Sequence, residues 1–176
     1  VSARVNTVRA FTDVDFVDHE TEEGSSAVYA YADEVVLRNV VVDGSVSDGW
    51  GPSAMSLSAD RVTMDGVTVL GVAGSNNEAV YVNGDVVDVT GLSFSDVPES
   101  CLEVYGQDVQ IDGSTFACGV GRGVYLSADV AVLSGNLFDG NESTSGGALY
   151  SGAGTIYSHG NVYTGNTATS SGGAIY

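Results

Sequence analysis

The sequence predicts an all-β fold, a right-handed parallel β-helix of about seven coils, and three observations carry the prediction. A frame of sixteen residues recurs without internal gaps, with starts at positions 1, 27, 54, 79, 101, 123, 148 and 174. Successive starts lie 22 to 27 residues apart, and the length variation falls in loops rich in Gly, Ser, Asn and Asp. Inside the frame, apolar and polar residues alternate and β-branched residues are frequent, which is typical of strands.

Three positions of the frame are apolar in nearly every copy, which indicates a shared interior. The second position is Val28, Met55, Val80, Leu102, Val124, Leu149 and Ile175. The eleventh is Phe11, Leu37, Met64, Val89, Ile111, Leu133 and finally Ser158. The sixteenth is Phe16, Val42, Val69, Phe94, Phe116, Phe138 and Tyr163. One copy cannot bury its own apolar face, whereas coils stacked about 4.8 Å apart form a continuous core.

Two further positions hold small or turn-forming residues and mark corners. The first corner is Ala32, Ala59, Gly84, Gly106, Ala128 and Ala153. The second corner is Asn39, Gly66, Gly91, Gly113, Gly135 and Gly160. We therefore expect each coil to contain three short strands, two tight corners and one loop of variable length.

The composition limits the choice of partners. The chain has 176 residues, with 5 basic residues, all Arg, against 23 acidic ones, for a net charge of −18. This charge disfavours binding to nucleic acid or to an anionic membrane, since both require a basic patch. No apolar run approaches the roughly 18 residues that a membrane helix needs. We expect residues 1–176 to be a single domain and a fragment of a longer repeat protein, because Val1 opens the chain and Tyr176 stops within a repeat.

Two phrases near the end of the chain carry a more specific signal. FDGN at residues 138–141 is followed by GGAL at 146–149, and YTGN at 163–166 is followed by GGAI at 172–175. These phrases resemble the FxxN and GGA(I/L/V) repeat of the chlamydial-type polymorphic outer membrane proteins, and the earlier coils resemble generic pectin-lyase-type β-helix coils. The motif covers only the last third of the chain. The resemblance implies a secreted, surface-displayed passenger with an adhesive or structural use, and it implies no catalysis.

The seventh position of the frame carries a column of carboxylates. Its members are Asp33, Asp60, Asp85 and Asp129, with Gln107 in the remaining coil. Stacked carboxylates repel one another, so each must be compensated. Either each accepts backbone N–H groups at its own corner, or calcium is held between coils by oxygen ligands. No calcium-binding nonapeptide repeat is present, so the sequence carries no strong calcium signature. We expect no cofactor other than this possible calcium.

The third position carries the aromatic residues Tyr29, Tyr81, Tyr125 and Tyr150. It alternates with the buried second position, so these rings should point outward. An outward ladder of tyrosines can bind glycans or a surface protein, because the ring is a rigid apolar face with a polar tip. The alternative is that stacked tyrosines only stabilise neighbouring strands or lie under a loop.

The outer face of the second strand carries the residues that an enzyme would use. Asp65 and Asp88 come from adjacent coils, and hydrolysis of a polysaccharide requires two carboxylates flanking the scissile bond. Asp112 is a further candidate, and Arg38 is a candidate base for a lyase. The alternative is that Arg38 and Asp65 form an exposed ion pair between coils, which contributes little.

The only two cysteines, Cys101 and Cys118, open and close one short coil. A disulfide between them in an oxidising compartment and two reduced thiols are both compatible with this spacing. Asn141-Glu142-Ser143 also matches a glycosylation acceptor.

Three functions are consistent with these observations. The first is a non-enzymatic extracellular or cell-surface protein, an adhesin-like or structural passenger whose loops at residues 43 to 53 and 70 to 78 contact partners. The second is a polysaccharide lyase or glycoside hydrolase that uses the outer-face carboxylates. The third is a subunit of a filament that associates through its coil ends. A clustered carboxylate groove would favour the enzyme, and dispersed charge beside a tyrosine ladder would favour the binding protein.

Overall fold

The computed structural model describes residues 7–18, 20–21, 27–47, 52–74, 78–97 and 100–176. In these ranges the strands are β1 Val8–Val17, β2 Glu20–Thr21, β3 Val28–Tyr31, β4 Glu34–Asp43, β5 Val46–Ser47, β6 Met55–Asp65, β7 Thr68–Leu70, β8 Ala73–Gly74, β9 Glu78–Thr90, β10 Ser93–Ser95, β11 Ser100–Asp112, β12 Thr115–Phe116, β13 Val124–Ser134, β14 Leu137–Asp139, β15 Glu142–Ser145, β16 Leu149–Ser151, β17 Thr155–His159, β18 Val162–Thr164 and β19 Thr167–Ser171.

The strands stack in parallel, and each pairs with its counterparts in the preceding and following coils. The second position of the frame pairs in the order Val28, Met55, Val80, Leu102, Val124 and Leu149, ending in an isolated bridge to Ile175. The register therefore matches the repeat frame in every described coil, and the prediction of a parallel β-helix is confirmed.

The number of coils differs from the prediction. The described residues make about six turns, whereas seven were expected. Most of the first strand of the first copy falls in residues 1–6, outside the described ranges. The copy that starts at Ala174 has only three residues, which are joined to the preceding coil by the bridge between Leu149 and Ile175 and by backbone hydrogen bonds.

The prediction of three short strands per coil is correct for only some coils. In four coils the first two predicted strands form one continuous strand, as in β6, β9, β11 and β13. The first corner is a bend here, because its small residues allow the parallel ladder to continue past it, as Ala59 pairs with Gly84. Among the corners that the structure describes, the chain breaks here between β3 and β4 and, at a Gly-rich segment, between β16 and β17.

The second corner requires a left-handed backbone in every coil. Asn39 has φ of +49°, and the five glycines at this position have φ between +55° and +66°. Glycine adopts this conformation without a steric penalty, and Asn tolerates it better than most residues. The Asn39 amide nitrogen also donates to Asp13 Oδ1 at 2.9 Å, which ties two coils together at the corner.

The interior is a set of stacked columns. Phe94, Phe116 and Phe138 are almost completely buried, and successive ring centroids lie 5.8 and 5.0 Å apart. Tyr163 continues the stack 4.9 Å above Phe138. The aromatic residue that opens each copy of the FxxN motif, Phe138 or Tyr163, therefore packs in the core, as its apolar ring predicts.

The Asn of the motif binds along the stack. Asn141 is fully buried, accepts the Cys118 N–H at 2.9 Å and donates to the Phe116 carbonyl at 3.0 Å. Asn166 repeats the pattern one coil later by donating to the Phe138 carbonyl at 2.9 Å. Because its amide is enclosed and hydrogen-bonded, Asn141 is not accessible to glycosylation in the folded chain.

Candidate binding face

The outer side of the first strand carries the site that the sequence analysis identified as a tyrosine ladder. We call it the tyrosine face; it comprises the third and fifth frame positions, with Tyr29, Tyr31, Tyr81, Tyr105, Tyr125, Tyr150 and Tyr176. Alternation along the strand turns these positions outward, while the neighbouring second and fourth positions are buried. The parallel register then places successive rings one coil apart.

Five of the rings form an unbroken stack. The successive centroid distances from Tyr81 through Tyr105, Tyr125 and Tyr150 to Tyr176 are 5.8, 5.8, 5.2 and 5.1 Å. The planes of Tyr125 and Tyr150 are nearly parallel, at 9°. The other three pairs are tilted by 43°, 45° and 31°, so Tyr125 and Tyr150 are the pair that stacks face to face.

Tyr105 was not among the predicted ladder residues. The third position of its coil is Glu103, which would interrupt the ladder, but Tyr105 lies two residues later on the same side of the strand. Its ring occupies the missing rung, and its hydroxyl donates a hydrogen bond to Glu103 Oε1. This hydrogen bond, followed by burial and the Glu103 charge, raises the pKa of Tyr105 above its ordinary value. The two-residue alternation of the strand could have identified Tyr105, since the third and fifth positions of the frame lie on the same face.

Arg122 is a second component that the sequence analysis did not identify. Its guanidinium carbon lies 5.6 Å from the Tyr125 ring centroid and 5.0 Å from that of Tyr150. Nη2 donates to Ser143 Oγ at 3.2 Å and to the Ser145 carbonyl at 3.3 Å. Burial lowers the pKa of Arg122, and nearby Tyr150 and Glu103 oppose that shift. The guanidinium is thus held against two rings by backbone and hydroxyl acceptors.

The stack is interrupted in the lower coils. Tyr29 and Tyr31 are 74% and 75% exposed, and in the described part of the chain neither ring contacts another ring. The next coil places Ser56 and Ser58 opposite them, and the coil after that begins the stack with Tyr81. The predicted ladder residues Tyr81, Tyr125 and Tyr150 therefore share one stack, while Tyr29 is separated from it by one rung. We call the gap bounded by Tyr29, Tyr31, Ser56, Ser58 and Tyr81 the slot.

A cavity of about 190 Å³ adjoins the slot. Tyr31, Ser58 and Asn83 contribute to its wall. The aspartates Asp33, Asp60 and Asp85 line it as well, so these three members of the predicted calcium column lie together. The fourth, Asp129, is exposed two coils beyond Asp85.

Two carboxylates of this column, Asp33 and Asp85, already have hydrogen-bond partners of their own. Asp33 Oδ2 accepts the backbone N–H and the hydroxyl of Thr7, at 2.6 and 2.9 Å. Asp85 Oδ1 accepts from Gln107 Nε2 at 2.9 Å. Within the ranges the structure describes, no group of three or more His, Cys, Asp or Glu side chains is arranged to hold a metal ion.

Two of the predicted enzyme residues, Asp88 and Asp112, are engaged by neighbouring side chains. Asp88 forms an ion pair with Arg61 at 2.6 Å, between two exposed side chains. Asp112 accepts a hydrogen bond from the Ser134 hydroxyl.

The predicted ion pair between Arg38 and Asp65 does not form. The two residues are register partners, and both are exposed. Within the described ranges, Arg61 of the neighbouring coil makes the ion pair instead, with Asp88. An exposed ion pair contributes little free energy, because two long side chains must be held in one geometry. Being register partners is therefore not enough to pair Arg38 with Asp65.

Cys101 and Cys118 are joined by a disulfide, with a Cα–Cα distance of 5.7 Å. Both are fully buried, so the bond staples the short coil from inside the core. The Cys118 N–H is also the group that Asn141 binds, which links the disulfide to the next coil.

The loops predicted to contact partners lie partly outside the described residues. This applies to residues 48–51 of the loop at 43 to 53, and to residues 75–77 of the loop at 70 to 78. The described parts contain β5 and β8, and β5 pairs in parallel with β2 on one side and with β8 on the other. A small sheet therefore runs along the bases of these loops.

No family model, curated protein or solved structure matches the chain. The fold and the site thus define a parallel β-helix with a stacked tyrosine face, without assigning it to a family. In the ranges described, no helix has the length and apolar character required to cross a membrane.

Proposed function

We propose that the protein is a non-enzymatic extracellular or cell-surface β-helix protein, an adhesin-like scaffold that binds partners through its tyrosine face and adjoining loops. The observation that carries this proposal is the stack from Tyr81 to Tyr176, with Arg122 laid over two of its rings. Stacked rings lose little conformational freedom when a partner binds, because their side chains are already ordered. Tyrosine also combines apolar contact area with a hydroxyl group that forms hydrogen bonds.

The disulfide supports location outside the cytoplasm. Disulfides persist in oxidising compartments and are rare where thiols are kept reduced. Cys101 and Cys118 are buried and paired within one coil, which is the arrangement of a structural rather than a redox-active bond. The net charge of −18 is compatible with a hydrated surface exposed to salt.

The arrangement of the carboxylates favours binding over catalysis. A glycosidase requires two carboxylates on either side of one bond, with one available as acid and the other as base or nucleophile. Asp88 is neutralised by Arg61, and Asp112 is engaged by Ser134.

The experiment that tests the proposal measures binding and turnover with the same protein. The purified chain is applied to arrays of glycans and of surface-protein peptides, and in parallel it is incubated with a panel of acidic and neutral polysaccharides. We expect saturable binding to one class of ligand and no release of reducing ends or unsaturated products. Turnover that is lost in Asp65→Asn or Asp88→Asn would establish the enzyme instead. Failure to bind any ligand would remove the support for an adhesin-like role.

A further inference from the structure

We propose that the slot on the tyrosine face is a docking site for the guanidinium group of an arginine side chain on a partner protein. This inference rests on the proposed binding function and specifies the partner's chemistry. It is carried by one juxtaposition: Tyr29 and Tyr31 on one side, Ser56 and Ser58 at the floor, and Tyr81 at the start of the stack on the other side.

The dimensions of the slot suit one planar group. Neighbouring parallel strands lie about 4.8 Å apart, so two rungs span roughly 9.6 Å. Rings in the intact stack lie 5.1 to 5.8 Å from their neighbours. A flat group placed over Ser56 would therefore stand at stacking distance from Tyr29 below it and Tyr81 above it. The serines leave the space of the missing ring open and supply hydroxyl groups at the floor.

The same face already binds a guanidinium elsewhere. Three coils above Ser56, Arg122 lies 5.6 and 5.0 Å from the centroids of Tyr125 and Tyr150. Its terminal nitrogen donates to a hydroxyl and to a backbone carbonyl. The slot offers rings on both sides and serine hydroxyls at its floor, and the negative charge of three aspartates lies in the adjoining cavity. In the described part of the chain no arginine side chain lies over the ring of Tyr29 or Tyr31.

The charge around the slot selects a cation. The adjoining cavity is lined by Asp33, Asp60 and Asp85 and shares Tyr31 and Ser58 with the slot. With a net charge of −18, the chain attracts a basic partner over distances of about one Debye length. A guanidinium combines positive charge with a planar face, whereas an ammonium has charge without the plane and a neutral sugar has neither. The observations thus favour an arginine-bearing protein segment over a glycan.

A peptide titration tests the inference. Three dye-labelled peptides differ only at a central residue, which is Arg, Lys or citrulline, and binding to the whole chain is followed by fluorescence anisotropy. We expect the Arg peptide to bind about tenfold more tightly than the citrulline peptide and several-fold more tightly than the Lys peptide, with affinity falling as salt rises. Equal affinity for the three peptides would overturn the proposal.

Two variants locate the site. Ser56→Tyr inserts the missing ring and should abolish the preference for Arg. Tyr29→Ala combined with Tyr31→Ala removes one wall of the slot and should also abolish the preference for Arg. Both positions are exposed, so the fold does not depend on them. This second variant decides the matter if Ser56→Tyr does not fold. Tyr157→Ala is the matched control, since Tyr157 is 59% exposed on β17, outside the slot, and it should bind like the wild type.

The outcomes separate this inference from the proposed function. Retention of the Arg preference in both slot variants would overturn the slot. Absence of peptide binding together with saturable binding to a glycan would also overturn the slot, while leaving the adhesin-like function in place. Absence of binding to every glycan and peptide would overturn both.

Discussion

Tyr105 donates a hydrogen bond to Glu103, the residue two positions before it on the same face of β11. This pairing turns a coil that lacks tyrosine at the third position into a continuous part of the stack, because the Tyr105 ring lies 5.8 Å from both Tyr81 and Tyr125. The Glu103 carboxylate thus holds the Tyr105 ring in the place of the missing third-position tyrosine. The same hydrogen bond makes the stability of the tyrosine face depend on pH.

Stability should fall at alkaline pH because of this pair. The Glu103 hydrogen bond raises the pKa of Tyr105, and burial, with Glu103 and Glu78, raises that of Tyr81, both from an ordinary 10.0. Above pH 10 the unfolded chain loses these protons while the folded chain keeps them, so their stabilising effect is complete below pH 10 and is lost as pH rises through the folded pKa. Urea unfolding from pH 9 to 12 should show a declining midpoint with a shallower decline in Tyr105→Phe. An identical decline in that variant would contradict the assignment, and Tyr29→Phe serves as the exposed control.

The Phe column should dominate the stability of the upper coils. Phe116 is fully buried between Phe94 and Phe138. Replacing it with alanine should lower the free energy of unfolding by about 3 to 5 kcal/mol, from lost apolar burial and the cavity that remains. Chemical denaturation measures the difference. Tyr157→Ala, at an exposed position, should cost about 0.5 kcal/mol or less, and equal losses in the two variants would mean that the assigned register is wrong.

Asn141 should be needed for stability although it is polar. Asn141→Ala leaves the Cys118 N–H and the Phe116 carbonyl buried without their side-chain partner. Because unsatisfied buried groups cost about 1 to 3 kcal/mol each, we expect a loss of roughly 2 to 4 kcal/mol in thermal or chemical unfolding. Asn83→Ala, at an exposed position on β9, is the matched control. A loss at Asn141 no larger than at Asn83 would show that the buried ladder contributes little.

The disulfide should stabilise the short coil. The two cysteines are separated by 17 residues, and closing a loop of that size contributes about 3 kcal/mol. Cys101→Ala with Cys118→Ala should lower the melting temperature, and a reducing agent should lower it in the wild type only. A melt of the wild type that does not respond to reductant would indicate that the thiols are not paired in solution.

The fold was predictable because it repeats. Seven columns of residues, read together, fix the strand register in a way that a single copy would not, and Met55 and Val80 pair as the frame requires. The outward direction of Tyr81 followed from the same alternation. The continuity of β6 past Ala59 was not predictable, since a small residue is compatible with both a bend and a break.

The contacts of long polar side chains were the least predictable part of the site. Arg122 lies in a variable loop outside the frame, and no periodic signal places it over Tyr125. Arg61 reaches diagonally to Asp88, while Arg38 does not pair with its register partner. Such side chains choose among several acceptors of similar energy, so their partners follow from loop conformation and rotamer rather than from register.

Nuclear magnetic resonance of the tyrosine rings can show whether the tyrosine face binds partners where its stack is interrupted. The nine tyrosines are labelled on the ring, assigned by single substitution to Phe, and titrated with the arginine peptide. We expect the resonances of Tyr29, Tyr31 and Tyr81 to shift together and saturably, while that of Tyr157 does not move. Shifts confined to Tyr157, or no shift at any ring while the peptide binds, would contradict this expectation.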